Sequence, residues 1–341
     1  MKKIFSAILP IFILFGGCLF VSCEKSGDNA KKSIVCTIFP EYDWVKNILG
    51  EKIDEYDLSL LGKNGVDLHS YQPSADDIVK IGQSDLFIYV GGESDGWVEK
   101  TFASIKKDES KTLNLIGALG ELVKDEREEG GDNSDHNHNH DDHSHNHDDH
   151  DEHEKDEHIW LSLKNAIVSC EKITDKLGEL FPENKSFFEN NLAKYKKKLG
   201  ELDKEFEETI AKSSVKTLVF GDRFPFRYFA DDYSLNCYAA FSGCSAETEA
   251  SFETIVFLAG KIDEYGLSSI CVIDGGDNSI AKSVINATKN KNQQIVAFDS
   301  MQSVKQKDIE SGADYLSYMR KNYDAVKIAL GIGDIGGNTN G

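Results

Sequence analysis

Histidine and clustered basic residues are missing from most of this 341-residue chain. Nine of the ten histidines lie between residues 132 and 158, and His69 is the tenth. The seven cysteines form no CxxC pair and no zinc-finger spacing, which excludes the common cysteine-based metal motifs. The net charge is −21 and no basic patch is present, so nucleic acid is not an expected partner.

Motifs of hydrolytic enzymes are also missing. The segment HEKDEH resembles the helix of a zinc protease, but His153 and His158 are five residues apart. The HExxH motif places its histidines four apart, on one helical face. No Ser or Cys nucleophile elbow is present either, and a hydrolase needs a positioned general base. We therefore expect a binding protein and not an enzyme.

The N-terminus has the pattern of a targeting segment. Lys2 and Lys3 precede an uncharged, largely apolar run over 4–21, which is followed by Ser22-Cys23 and a polar stretch. This arrangement resembles a bacterial lipoprotein signal in which Cys23 becomes the lipid-bearing residue. Cleavage at Cys18, or an uncleaved membrane anchor, is the alternative. In each case the bulk of the protein is expected outside the cytoplasm and attached to the membrane, with 24–32 as a tether.

Short apolar, β-rich runs alternate with segments of helical spacing in both halves of the chain. This alternation is typical of α/β domains in which helices cover a parallel sheet. Helices are predicted near 44–50, 74–83, 97, 160–180, 248–264, 278–289 and 310–329. Strands are predicted at 33–39, 56–61, 85–90 and 112–115 in the first half, and at 216–221, 238–241, 268–274 and 293–299 in the second.

One helical pattern is much longer than the others. Its apolar positions recur at spacings of four and three, which predicts an amphipathic helix of about seven turns. We interpret this helix, over 181–213, as a rigid link between an N-terminal lobe (33–180) and a C-terminal lobe (214–330), with 331–341 as a disordered tail. The repeating positions are Phe188, Leu192, Tyr195, Leu199, Leu202, Phe206 and Ile210.

The remaining cysteines are read as structural. Cys36 and Cys271 lie in apolar strand-like runs and are expected to be small buried hydrophobes. Cys237 and Cys244 are close enough in sequence to pair in an oxidising compartment. None of them is assigned to a metal.

The segment 124–157 is acidic and rich in histidine. Residues 125–157 hold fifteen Asp and Glu against Arg127 and Lys155, so the rest of the chain is only mildly acidic. With no apolar residue between 132 and 158 the run has nothing to bury, and disorder is expected. Its imidazoles predict weak, exchangeable metal sites, although a solvated acidic linker is the alternative. The histidines concerned are His136, His138, His140, His143, His145, His147, His150 and His153.

Four metal-ligating side chains lie where predicted strands or loops end. His69 follows the second strand, His158 ends the acidic run, and Asp222 and Asp299 each follow a strand of the second half. Ligands of open α/β sheets bind at the carboxyl ends of strands. Two imidazoles and two carboxylates could hold a four-coordinate ion between the lobes. Alternatively, His69 is an ordinary surface histidine and the two aspartates are helix N-caps.

These residues also carry a family resemblance. The segments TIFPEYDWVKNILG (37–50), GVDLHSYQPSADDIVKI (65–81), DEHIWLSLKNA (156–166) and FFENNLAKYKKKLGELD (187–203) resemble the zinc- and manganese-type solute-binding proteins of ABC transporters. The resemblance implies two α/β lobes joined by a rigid helix, with a metal ion in the cleft. It also implies a permease with its ATPase as partners of a monomer, and some second role as adhesin or metal buffer is left open.

The resemblance matches His69, His158 and Asp299 to ligand positions of the family. Asp222 departs from the His or Glu expected at the third position. Two nitrogens and two carboxylates suit Zn²⁺, while Mn²⁺ or iron is the alternative. The His-rich insert favours zinc, because imidazole clusters hold zinc better than manganese.

The first prediction concerns the His-rich run. Deleting 132–155 should lower the total number of bound zinc ions while leaving the affinity of the cleft nearly unchanged, because unpacked chelates bind weakly. Equilibrium dialysis with metal analysis of the deleted and full-length proteins measures both quantities. Equal stoichiometry in the two proteins would identify the run as a linker only.

Overall fold

The computed structural model describes residues 31–62, 65–126, 155–243, 245 and 249–332. All of the elements below belong to the compact unit that starts at Lys32, which is distinct from Met1–Lys31. The predicted signal segment, most of the His-rich run, Cys244 and the tail lie outside the described residues. Among the residues described, no helix is long and apolar enough to span a bilayer.

The first half of the chain forms a four-stranded parallel sheet. Its strand order is β2-β1-β3-β4, and Ile34 in the central strand pairs with Leu58 on one side and Leu86 on the other. The strands are β1 (Lys32–Cys36), β2 (Tyr56–Leu60), β3 (Leu86–Tyr89) and β4 (Thr112–Asn114); the helices are α1 (Phe39–Leu49), α2 (Ala75–Gln83), α3 (Trp97–Ile105) and α4 (Leu115–Leu119).

The second half repeats this arrangement. Its sheet is also parallel, in the order β6-β5-β7-β8, so the chain again places its second strand on one side of the first and its third strand on the other. The strands are β5 (Thr217–Phe224), β6 (Asn236–Ser242), β7 (Ser269–Ile273) and β8 (Gln294–Phe298); the helices are α7 (Arg227–Asp232), α8 (Phe252–Tyr265), α9 (Ser279–Ala287), α10 (Gln306–Glu310) and α11 (Tyr315–Ala329).

Two long helices, α5 (Leu163–Leu180) and α6 (Lys185–Ile210), connect the halves. The 26 residues of α6 extend about 39 Å at 1.5 Å per residue. Asn191 donates to the carbonyl of Ile48 in α1, and the hydroxyl of Thr209 lies 2.8 Å from that of Tyr323 in α11. The long helix therefore contacts both halves, as predicted, and one hydrophobic cluster contains residues of both sheets and of α6.

Several element boundaries differ from the sequence prediction, and three of them have a visible local cause. Helix α1 begins at Phe39, inside the predicted first strand, because Pro40 is tolerated in the first turn of a helix. Strand β5 continues past Gly221 to Phe224 through an irregularity between Phe220 and Arg223. The helix predicted over 310–329 begins only at Tyr315, because the chain turns at Gly312, where φ is +92°. The short helix α10 ends at Glu310, before this turn.

The carboxyl ends of the strands set the location of the site. Each sheet has a switch point beside its first strand, where successive connections leave in opposite directions, and such a point leaves an open crevice. The loop after β2 carries His69, the segment after β8 carries Asp299, and β5 ends just beyond Asp222. The fold thus brings the candidate residues to strand ends, as the sequence predicts.

A buried carboxylate organises the start of α1. Glu41 is fully buried and accepts hydrogen bonds from the backbone N–H groups of Thr37 and Ile38, at 2.9 and 3.3 Å. Burial, with the negative charge of Asp95, raises the pKa of Glu41 from 4.5 to about 8. The folded protein therefore keeps this carboxyl protonated at pH values where an unfolded chain would ionise it.

We predict that Glu41→Gln flattens the pH dependence of stability. The parent has the full contribution of the neutral carboxyl below pH 4.5 and loses it as the pH rises through about 8. Since glutamine stays neutral, the unfolding free energy of the variant should fall less between pH 5 and 8, by up to about 1.4 kcal/mol per pH unit for one proton. Urea denaturation of metal-free protein measures this difference. Glu51→Gln, at an exposed position, is the control, and parallel curves for the parent and Glu41→Gln would contradict the prediction.

Candidate metal centre

His69 is held in a single helical turn after β2, at Leu68–Ser70. The carboxylate of Asp67 caps this turn and accepts the backbone N–H of His69 at 3.0 Å. Arg223, at the end of β5, donates to the other oxygen of Asp67 at 3.3 Å. A residue of the second half therefore fixes the loop that carries a candidate ligand of the first half.

His158 lies in the sharp turn where the acidic run meets the apolar segment Ile159–Leu161. Its side chain is fully buried. Asp156 accepts both the backbone N–H and the ring Nδ1–H of His158, each at 2.9 Å. The backbone of Gly243 passes so close that a Cβ there would lie 2.9 Å from Cε1 of the ring. Only glycine lets the segment after β6 approach this imidazole.

Glu157 points in the opposite direction, toward His69. One oxygen of its buried carboxylate lies 3.1 Å from Nδ1 of His69. The hydroxyl of Ser94 contacts both groups, because it lies 2.7 Å from the same Nδ1 and donates to Glu157. A Cβ at Gly92 would lie 2.3 Å from the carboxylate, so the loop after β3 also needs glycine to close over it.

These contacts give both imidazoles the same orientation. Each Nδ1 faces an acidic oxygen and so carries the proton, which leaves the lone pair of each Nε2 available. The two Nε2 atoms face one point, where the amide nitrogen of Gln302 lies 2.8 Å from that of His69 and 3.0 Å from that of His158. Carboxylates that hold the far nitrogen of a histidine in this way are typical of metal sites.

The charges of the site support the same assignment. Burial alone would lower the pKa of His158, but the adjacent Asp156 carboxylate outweighs burial and raises it. Burial would raise the pKa of Glu157, yet the hydrogen bond from His69 and the charge of His158 lower it. The site therefore holds the ionised carboxylate of Glu157 close to His69 and His158. A divalent cation at the free Nε2 lone pairs would fit this negative surrounding.

His69, Glu157 and His158 each offer a ligand atom within 4.8 Å of the others. Of the groups of three or more potential ligands, this is the one found in the described part of the chain. Two of its three members are sequence-predicted ligands, and Glu157 is not. The position of Glu157 directly before His158 is the sequence signal that could have identified it as a candidate ligand.

Asp222 lies nearby, but its carboxylate faces the sheet. His69 and Asp222 line one cavity of 470 Å³. Asp222 accepts the backbone N–H groups of Arg223 at 2.8 Å and of Ile273 in β7 at 3.1 Å. At the irregularity in β5, this carboxylate thus links β5 to β7 by side-chain hydrogen bonds.

Asp299 lines a different cavity, of 170 Å³, together with Asp274 and Asp308. Its carboxylate accepts the backbone N–H of Met301 at 2.9 Å, and burial raises its pKa. From the same segment, Gln302 faces the imidazoles. No motif in the sequence singles out this glutamine.

The base of the His-rich run is fixed beside His158. Asp125 and Lys155 form an isolated antiparallel bridge and an ion pair. The hydroxyl of Tyr228, on α7, accepts the N–H of Lys124 at 3.0 Å and donates to the carbonyl of Asp156 at 2.7 Å. The eight histidines from His136 to His153 themselves lie outside the described residues.

Comparison with known proteins identifies the family. Residues 34–329 match the family model described as ZnuA, zinc-uptake complex component A, periplasmic. The chain belongs to the ZnuA family. This result confirms the predicted kinship with metal-type solute-binding proteins, a class of transport components rather than enzymes.

Individual relatives support the assignment. The zinc-binding lipoprotein AdcA of Streptococcus pneumoniae is 31% identical over 329 residues, which are 96% of this chain and 61% of AdcA. The chain thus spans about three fifths of that relative. The high-affinity zinc uptake system protein ZnuA of Bacillus subtilis is 27% identical and is covered to 96% of its length.

A solved relative supports the fold. The Zn(II)-bound ZnuA-like domain of Streptococcus pneumoniae AdcA has a TM-score of 0.67 at 27% identity, over 88% of this chain and 99% of that one. The predicted class of two parallel-sheet lobes flanked by helices is therefore confirmed for this ZnuA-family chain. The lobe boundaries at 180 and 214 stay a prediction.

We predict that Asp156→Ala weakens binding of a divalent transition metal by about 10- to 100-fold, the usual cost of losing a partner that orients a ligand. Without the carboxylate, the ring of His158 can turn or carry its proton on Nε2. Titration with Zn²⁺ against a competing chelator measures the change. Asp175→Ala, which removes an exposed carboxylate of α5, is the matched control. An affinity equal to the parent's would show that Asp156 does not orient His158.

Proposed function

We propose that this protein captures Zn²⁺ in the cleft between its two sheets and delivers it to an ABC permease for uptake. The observation that carries the proposal is the pair of imidazoles whose Nε2 atoms face one point, at 2.8 and 3.0 Å from a single amide nitrogen. Both rings have their other nitrogen fixed by an acidic residue, which is the arrangement that favours metal binding.

The proposed ligands are His69 and His158, together with an oxygen from each of two C-terminal segments. The sequence predicts Asp222 and Asp299 as the donors from these segments. Each aspartate accepts a backbone N–H, that of Ile273 or of Met301, and neither belongs to the cluster at the imidazoles, so each would have to move to reach an ion there. Glu157 is a further carboxylate already within reach.

Zinc is the proposed cargo, and Mn²⁺ or iron is the alternative. Two imidazole nitrogens favour zinc over manganese, which prefers oxygen-rich sites. The zinc-binding relatives point the same way. We further propose that the His-rich run acts as a set of weak secondary sites that raise the local zinc concentration beside His158.

The proposed setting is the outer face of the cell membrane. Cys23 would carry lipid, and stable attachment needs two or more acyl chains. The partners would be a permease and its ATPase, and the protein would act as a monomer without catalytic activity. The competing function is that of a metal buffer or an adhesin that delivers metal to no transporter. A permease gene beside the gene of this protein would favour the function of a metal carrier.

The proposal predicts that a His69→Ala, His158→Ala double variant loses tight zinc binding, because a site of this kind fails when its ligands are removed. Competition with a chelator of known affinity should show at least about a 100-fold loss, as each removed ligand costs more than an orienting partner. His153→Ala, within the His-rich run, is the matched control and should leave the tight site unchanged. If the double variant competes as well as the parent, zinc binds elsewhere and the cleft assignment is wrong.

A further inference from the structure

The amide of Gln302 lies at the centre of the proposed site. The side chain is 7% exposed, and its amide nitrogen is within hydrogen-bond distance of both Nε2 atoms. Because both imidazoles carry their proton on Nδ1, the two N–H bonds of the amide donate to the two free lone pairs. This contact gives a partner to the acceptor of the fully buried His158 and to that of the partly buried His69.

An ion and this amide nitrogen exclude one another. A zinc ion bonds to imidazole nitrogen at about 2.0–2.1 Å and would use the same two lone pairs. The amide nitrogen has no lone pair to offer a cation and would direct its two hydrogens at it. Metal can therefore bind both histidines only if the amide moves.

The smallest movement is a half-turn of the terminal amide, which exchanges nitrogen for oxygen. The oxygen would then lie about 2.8–3.0 Å from the two Nε2 atoms, at the place that the nitrogen holds now. In a tetrahedral zinc site with bonds of 2.0–2.1 Å, neighbouring ligand atoms are roughly 3.3 Å apart. The rotated oxygen thus needs to shift by only a few tenths of an ångström to become a ligand.

Several hydrogen bonds hold the backbone that carries Gln302. Asp299 accepts the N–H of Met301, which has a left-handed φ of +56°. Asn322 bonds to both the N–H and the carbonyl of Asp299, and the indole of Trp160 donates to the carbonyl of Ser300 at 2.8 Å. Asp299 is therefore fixed in the turn that directs Gln302 toward the histidines.

We infer that Gln302 is an exchangeable ligand of the metal site. Its amide nitrogen holds the two imidazoles in the metal-free protein, and its amide oxygen replaces the nitrogen when zinc binds, as the donor from the segment that also contains Asp299. Since this donor is neutral, it holds a dication less tightly than a carboxylate would. The returning amide nitrogen would replace the bonds that the histidines lose when zinc leaves, so it favours release of the cargo.

The inference rests on the proposed function and is tested with the full-length chain in detergent, by zinc titration against a chelator. Gln302→Ala removes the oxygen donor and should weaken the tightest site by about tenfold or more. Gln302→Glu substitutes a charged donor of the same shape and should tighten it by about tenfold. Asp299→Asn keeps an acceptor for the N–H of Met301 and should cost less affinity than Gln302→Ala, because Gln302 is the side chain that faces both imidazoles.

The controls separate this inference from the proposed function. Gln293→Ala removes another buried glutamine, bonded to Thr288 at the opposite end of β8, and should bind zinc as the parent does. Thermal unfolding of each metal-free variant identifies any loss of fold. If Gln302→Ala does not fold, the zinc affinity of the near-isosteric Gln302→Glu tests the inference. Co²⁺ in place of zinc gives a second measurement, because its visible absorption should differ between the parent and Gln302→Glu.

Two results would overturn the role of Gln302. One is a parent-like or tighter affinity in Gln302→Ala together with a parent-like affinity in Gln302→Glu. The other is a loss of affinity in Asp299→Asn with none in Gln302→Ala, which would return the ligand role to Asp299. If the parent itself binds no zinc, or binds it without His69 and His158, the proposed function fails instead.

Discussion

Two histidines can share one ion only if each turns its free lone pair toward the same point, and here the dipeptide Asp156-Glu157 imposes that orientation. The carboxylate of Asp156 turns back to the ring that follows it in sequence, at 2.9 Å. The carboxylate of Glu157 reaches across to His69, at 3.1 Å. Ionised side chains are costly to bury unless they are hydrogen-bonded, and here each acidic group gains a bond by fixing an imidazole.

The surrounding fold makes this geometry possible. Both sheets place their loops at carboxyl ends, and the switch points leave room between them. The two halves then contact each other through specific bonds: Arg223 with Asp67, Trp160 with Ser300, and Tyr315 with the carbonyl of Trp160. Because Gly92 and Gly243 allow close approach of the backbone, the site is enclosed by segments far apart in sequence.

The sequence predicts the general architecture well because hydrophobic periodicity is a local signal. The eight strands lie within a few residues of their predicted limits, and α6 follows the spacing of its apolar residues. The predicted boundaries are wrong where a single residue determines the start or the end of an element. Pro40 lies in the first turn of α1, and Gly312 delays the start of the last helix to Tyr315. Neither effect appears in an average over a window of residues.

The candidate site is harder to predict, because it depends on side-chain direction. His69 and His158 are rare residues at strand ends, so sequence reasoning finds them. The pattern cannot show that the carboxylate of Asp222 bonds to β7, or that Asp299 caps a turn while Gln302 faces the cleft. A neutral glutamine has no distinctive metal-binding signature, and its role is visible only once both imidazoles are placed.

The bridge between Asp125 and Lys155 brings the two ends of the His-rich insertion together beside the cleft. The free energy of closing a flexible loop changes slowly with its length, by only about 0.6 kcal/mol per doubling. Since Tyr228 independently holds Lys124 and Asp156 in place, residues could be gained or lost between the two ends without moving His158. The number of histidines in the insertion can therefore change over evolution while the geometry of the cleft is conserved.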